Sequence, residues 1–152
     1  MKTSLAPIVL FVYNRPWHTL QTLEALSKND LADQSVLYIY ADGPKNDTNE
    51  DTLAKINEVR EIIKKQDWCK EVHIIESEKN KGLADSIVEG VTRIINKYGK
   101  IIVLEDDIVT SPHFLRYMND ALFVYEQESK VMHVSSFTLK TTGADRLLET
   151  CF

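Results

Sequence analysis

The sequence predicts an α/β fold built on a parallel-dominated sheet with helices on both faces, and three observations carry that prediction. Four short apolar runs rich in β-branched residues recur along the 152 residues, longer segments with apolar residues at helical spacing separate them, and the connections between are short. Continuous rather than alternating apolar strands suit a sheet covered on both sides, and parallel neighbours need helical crossovers, which are right-handed.

The first run is Ile8–Val12, and Pro16, Trp17, Leu20 and Leu23 follow it as a helix with proline in its first turn. The second run covers residues 36–40, before a helix carrying Leu53, Ile56, Val59 and Ile63. The third covers 72–75, before a helix carrying Leu83, Ile87, Val91 and Ile94 that ends at Gly99. The fourth covers 101–104; Ser111 as N-cap and Pro112 in the first turn then open a helix with Phe114, Met118, Ala121, Leu122 and Tyr125. A weaker run at 131–135 predicts a fifth strand, giving β-α-β-α-β-α-β-α-β, with the runs 8–12 and 101–104 expected as adjacent, parallel central strands. After Ser136 the periodicity is lost, so residues 138–152 read as an irregular tail or a truncated continuation.

A length of 152 residues with 43% hydrophobic composition predicts a single domain with its own core. The net charge is −5 and no Lys/Arg run occurs, which argues against nucleic acid as a partner and against an electrostatic grip on anionic lipid. Cys69 and Cys151 are too few for a disulfide framework or a zinc site and fit a reducing compartment as inert thiols. The apolar stretch near the N-terminus is too short to span a bilayer, so no transmembrane segment is expected and the localisation reads as cytoplasmic. Trp17 and Trp68 read as packing residues, and the four histidines show no ligand spacing.

In an open parallel sheet the ligand crevice lies beyond the carboxyl ends of the strands, so the residues after each run are the informative ones. They are Tyr13-Asn14-Arg15, then Asp42-Gly43, then the segment 76–82 ending in Gly82, then Glu105-Asp106-Asp107. The first turn has no glycine, and neither a dinucleotide-binding fingerprint nor a P-loop occurs, so dehydrogenase and NTPase readings fall. Phospho-receivers and aspartyl-phosphate phosphatases place an acid after the first strand, where Tyr13 and Asn14 stand instead.

Three carboxylates at the end of a buried strand repel one another and call for a cation. Hard oxygen donors suit magnesium or manganese, with no His/Cys cluster competing. In an extended segment Glu105 and Asp107 would project one way and Asp106 the other, dividing metal from hydroxyl contacts. The plainer alternative is that the acids cap the following turn or are solvated. Asp42 before Gly43-Pro44 is likewise a good turn residue, Gly82 suits the start of a helix, and Arg15 suits a surface charge there.

The segment from Val103 to Leu122, "VLEDDIVTSPHFLRYMNDAL", followed by "VMHVSSF", resembles the D-x-D region of GT-A glycosyltransferases, especially the E-D-D segment of N-acetylglucosaminyltransferase I-like enzymes. "APIVLFVYNRPWHTLQTLEAL" and "NKGLADSIVEGV" resemble the first strand-turn-helix and the start of the third helix in bacterial members, including family 2-like enzymes. The resemblance covers about residues 6 to 137 and implies a Rossmann-like GT-A domain over 1–137. It further implies a transferase that moves a sugar from a nucleotide-diphosphate-sugar, taken as a UDP-sugar, to an acceptor hydroxyl on a saccharide or a lipid-linked acceptor at the inner face of the membrane. Asp107 would hold Mn2+ or Mg2+ against the diphosphate, and Asp106 and Glu105 would face ribose and donor-sugar hydroxyls. Asp42 would meet the nucleoside, and Tyr13, Asn14 and Arg15 would line it.

The resemblance leaves the general base unassigned, because Asp145 and Glu149 match no acceptor-side motif. A C-terminal domain or partner chain would then complete the enzyme. The competing readings are a catalytically incomplete nucleotide-sugar-binding module and, behind it, a sugar nucleotidyltransferase, which usually carries a Gly-rich loop after its first strand.

Overall fold

A computed structural model describes residues 4–136 of the chain. They form β1 (Ile8–Val12), α1 (Pro16–Ser27), a short 3-10 turn (Ala32–Gln34), β2 (Val36–Ala41), α2 (Glu50–Lys64), β3 (Glu71–Glu76), α3 (Leu83–Tyr98), β4 (Ile102–Glu105) and α4 (Phe114–Val124). The strands make one all-parallel sheet in the order β3-β2-β1-β4. Ile8 pairs with both Leu37 and Ile102, and Phe11 with both Tyr40 and Glu105.

The chain steps from β1 to β2 to β3 and then returns past β1 to β4. Crossovers of one hand travelling in opposite directions place their helices on opposite faces. Leu23 and Leu26 of α1 and Val59 and Ile63 of α2 pack with Ile8, Leu10, Leu37, Ile39 and Leu104 on one face, where Leu115 and Met118 of α4 join them. On the other face α3 brings Ile87, Val91 and Ile94 onto Val9, Phe11, Tyr38 and Tyr40. Each strand thus divides its residues two ways, and β1 is buried along its whole length.

Sequence signals mark most ends correctly. Pro16 opens α1 and Gly99 closes α3 in the left-handed conformation, while Asn49, which the sequence reading did not single out, caps α2 by accepting from Thr52 N at 2.9 Å. Trp68 is buried and donates to the Ile63 carbonyl at 3.1 Å, whereas Trp17 is 65% exposed, contrary to its packing assignment. Four further expectations are corrected. Residues 131–135 form no strand: a run with Met132 97% exposed has no apolar face to bury. Burial on both faces fails at the flanks of the sheet, since α3 does not reach across β4 and Val103 is 41% exposed. Strand β4 pairs in parallel with β1 as expected but lies at the sheet edge among the described residues. Helix α4 begins at Phe114 with His113 at its N-cap, two residues beyond the expected cap, because Ser111, Pro112 and His113 form a turn closed by Phe114 N to Ser111 O. Residues 138–152 lie outside the described residues.

Side-chain amides tie α4 to the end of α1 and to the segment before β1. Buried Asn29 donates to Ala25 O and Thr110 Oγ1 and accepts from Leu115 N, while Asn119 accepts from Ala6 N at 2.8 Å. No described helix is long and apolar enough to cross a membrane.

Candidate functional site

The order of the sheet reverses between β1 and β4, and the carboxyl ends of strands at such a switch point frame the ligand crevice of an open α/β sheet. A cleft of about 300 Å3 opens there. Its walls are the β1 exit (Tyr13, Asn14, Arg15), the β2 exit (Asp42, Lys45), the start of α3 (Asn80, Gly82, Leu83, Ser86) and the β4 exit (Glu105, Asp106), over a floor that includes Phe11 and Tyr40. Seven of the eight residues singled out in the sequence line this one cleft. Asp107, the eighth, stands outside the lining and joins it through Arg15. A larger cavity of about 380 Å3 lies by the amino ends of the strands, lined by Tyr98, Tyr125 and Met132 among others, but it gathers no carboxylate cluster.

The acids are arranged differently from strict strand alternation. The extended backbone ends at Glu105 and turns at Asp106 and Asp107, so both aspartates reach the same guanidinium. Arg15 Nη2 donates to Asp106 Oδ1 in a short ion pair, and Nη1 donates to Asp107 Oδ2 at 3.0 Å. The two partners differ in surroundings: the Asp106 side chain is 4% exposed and that of Asp107 is 45% exposed. Asp106 is therefore not the exposed strand-end carboxylate expected of an acid run. Burial pushes its carboxyl above the ordinary value, and the Arg15 charge offsets only part of that rise. Thr22 of α1 donates to the Asp106 carbonyl at 2.9 Å, so helix α1 holds this turn from below through one side chain and from the rim through Arg15. Glu105 is half-buried at the cleft wall.

Asp42 has a local task that its sequence context only half discloses. Its Oδ1 accepts from Gly43 N at 2.8 Å and Lys81 N at 2.9 Å, and its Oδ2 accepts from Gly82 N at 3.0 Å and Asn80 Nδ2 at 2.9 Å. One carboxylate thus collects four donors and fastens the β2 exit to the segment that leads into α3. Asn80 reinforces the junction by donating to the Gly43 carbonyl at 3.0 Å, and Arg60 of α2 reaches the Ser77 carbonyl at 2.6 Å. Gly82 has φ +84°, a backbone state that side-chain-bearing residues rarely adopt. At Gly43 a Cβ would stand 2.6 Å from Lys79 N and Ser77 O, so the two segments touch only because no side chain intervenes.

Sequence reasoning missed the cleft floor. Phe11 and Tyr40 stack with ring centroids 5.5 Å apart, and both were read only as strand residues. Gly90 in α3 lets them sit close beneath the helix, since a Cβ there would meet Phe11 Cζ at 2.9 Å and Tyr40 Cε2 at 3.3 Å. The Tyr40 hydroxyl is buried with no hydrogen-bond partner among the described residues. The signal available was their register, two aromatic positions on one face at the carboxyl ends of neighbouring strands.

Among the described residues no group of three or more His, Cys, Asp or Glu side chains converges to hold a metal ion. A closed protein cage is therefore not what the acids offer. Magnesium-type cations are commonly held by one or two carboxylates together with substrate phosphates, and Asp107, exposed at the rim with one oxygen on Arg15, fits that shared mode.

No family model matches the chain, and no curated protein sequence matches it. Its fold is similar to that in the crystal structure of S. aureus TarS, a GT-A-type glycosyltransferase, with a TM-score of 0.50 and 12% sequence identity. The likeness covers 80% of this chain and 20% of TarS, so the chain spans about a fifth of that protein. At that identity the likeness carries the fold alone: the chain has a Rossmann-like α/β fold similar to part of TarS.

Proposed function

We propose that this chain is the donor-binding domain of a metal-dependent glycosyltransferase, over residues 1–137, that takes a nucleotide-diphosphate-sugar and passes the sugar to an acceptor hydroxyl. The observation that carries the reading is convergence: the carboxylate turn after β4, the Tyr13-Asn14-Arg15 turn and the Asp42-fastened start of α3 meet at the switch point of the sheet. Aromatic Phe11 and Tyr40 beside Tyr13 and Asn14 suit a nucleoside, and Glu105 suits sugar hydroxyls. Arg15 and Lys45 suit the diphosphate. Asp107 would hold Mn2+ or Mg2+ jointly with that diphosphate, and a cation there stabilises negative charge on the leaving nucleotide. The donor is taken as a UDP-sugar and the acceptor as a saccharide or lipid-linked hydroxyl, in the cytoplasm or at the inner face of the membrane.

A binding module without catalysis is the second reading, and one observation favours it. Both Asp42 and Asp106 are committed to internal partners, which leaves Glu105 as the carboxylate of the cleft wall without such a commitment among the described residues. Hydrolysis or transfer of a labelled UDP-sugar separates an enzyme from such a module.

Calorimetric titration with UDP, GDP and dTDP, each with Mn2+ and with chelator, tests the donor site. At least one nucleotide is expected to bind about tenfold better with the metal, a difference of about 1.4 kcal/mol. Equal affinity in both conditions removes the metal role, and no binding in either removes the donor site.

A further inference from the structure

Arg15 is the one cation in direct contact with the acid turn among the described residues, and its two contacts are of unequal kind. The Nη2 contact is with a carboxylate that is 4% exposed, and the Nη1 contact is with one that is 45% exposed. Withdrawing Arg15 from Asp106 would leave a buried charge without its partner, which is strongly unfavourable. Withdrawing it from Asp107 leaves a charge that water can solvate, and exposed pairs of that kind contribute little. The Arg15 side chain is itself 44% exposed and lines the cleft. A guanidinium presents its donors in a rigid fork, so one limb can be anchored while the other changes partner without moving the side chain far.

We propose that Arg15 is a two-position cation of the donor site: Asp106 anchors its Nη2 limb permanently, while its Nη1 limb passes from Asp107 in the free protein to a phosphate oxygen of the bound nucleoside diphosphate. The inference rests on the donor-site reading given above. Three consequences follow from the exchange. In the free protein Asp107 is partly neutralised, so a divalent cation alone gains little there. When a diphosphate takes the Nη1 limb, Asp107 is released to the metal. Metal and nucleotide thus favour each other through Arg15 as well as by touching, and such linkage is reciprocal. Asp106, in turn, serves as a positioning residue that aims Arg15.

The test is a double-mutant cycle in metal-free buffer on the full chain, using the tightest binder among UDP, GDP and dTDP. Asp107→Asn is expected to raise metal-free nucleotide affinity about fivefold, because it frees the Nη1 limb and removes a repelling charge. In the Arg15→Lys background, where a single ammonium held by Asp106 cannot bridge, the same Asp107→Asn substitution is expected to gain less than half as much. Electron paramagnetic titration with Mn2+ alone should show Arg15→Lys binding the ion more tightly than the wild type. A third readout needs no substitution: the Arg15 side-chain Nε–H resonance of the wild-type protein should shift when nucleotide is added without metal. Equal Asp107→Asn effects in both backgrounds, unchanged Mn2+ affinity, or an unmoved Arg15 resonance with nucleotide bound would each overturn the exchange and leave the donor-site reading standing. Failure of the wild type to bind any of the three nucleotides, with or without Mn2+, would remove that reading and the exchange with it.

Discussion

Asp106 and Asp107 are neighbours in sequence with opposite thermodynamic characters. Replacing Arg15 by Gln leaves the Asp106 carboxylate, 4% exposed, without its cationic partner. Leaving a buried charge unpaired costs about 3–5 kcal/mol, and uptake of a proton by Asp106, whose carboxyl burial already pushes up, recovers part of that, leaving about 1–2 kcal/mol. For a chain of this size the expected fall in Tm is about 2–8 °C, read by calorimetry or circular dichroism without ligand. Asp107→Asn is expected to stay within about 0.5 kcal/mol of the wild type, as surface substitutions do. Similar losses for both substitutions would mean that the Arg15–Asp107 contact is structural as well. The need for a cation beside these acids was legible in the sequence, because three adjacent carboxylates repel. That Arg15 supplies one was not, since it stands 91 positions from Asp106 and only the β1–β4 pairing brings them together.

At the scale of elements, the strands and helices were legible because each period has a physical cause: double-sided burial for the strands and one-sided burial for the helices. The 131–135 run failed as a strand because apolar composition alone does not provide a neighbouring edge or a covering layer. The junction of β2, the β3–α3 segment and α3 was half legible. Asp42, Gly43 and Gly82 stood out as turn residues, but the carboxylate that binds four donors across 40 positions is a tertiary event. Gly43→Ala tests the junction, since its Cβ would press on backbone atoms at 2.6 Å that have no rotamer to yield. The expected cost is about 1–3 kcal/mol in stability by denaturant unfolding, together with weaker nucleotide binding as Gly82 and Ser86 move from the cleft wall. A variant as stable as the wild type with unaltered affinity would show that the two segments are not held in register.

At the scale of the molecule, one topological fact organises the chemistry. The sheet grows from β1 toward β3 on one side and to β4 on the other, so its order reverses at β1 and the carboxyl ends of β1 and β4 frame the cleft. This was legible as a fold class and as a rim of polar residues, yet the aromatic floor was not, because Phe11 and Tyr40 satisfy the strand pattern as well as the site. The central claim, that a nucleoside diphosphate occupies this cleft, is tested most directly by photolabelling the chain with an azido-uridine diphosphate in the presence of Mn2+ and mapping the labelled peptides by mass spectrometry. The expected labels fall on the peptides carrying Tyr13 to Arg15 and Asn80 to Ser86, and excess UDP removes them. Labelling that UDP does not displace, or that falls instead on the peptides of the opposite cavity around Tyr98 and Met132, would contradict the account.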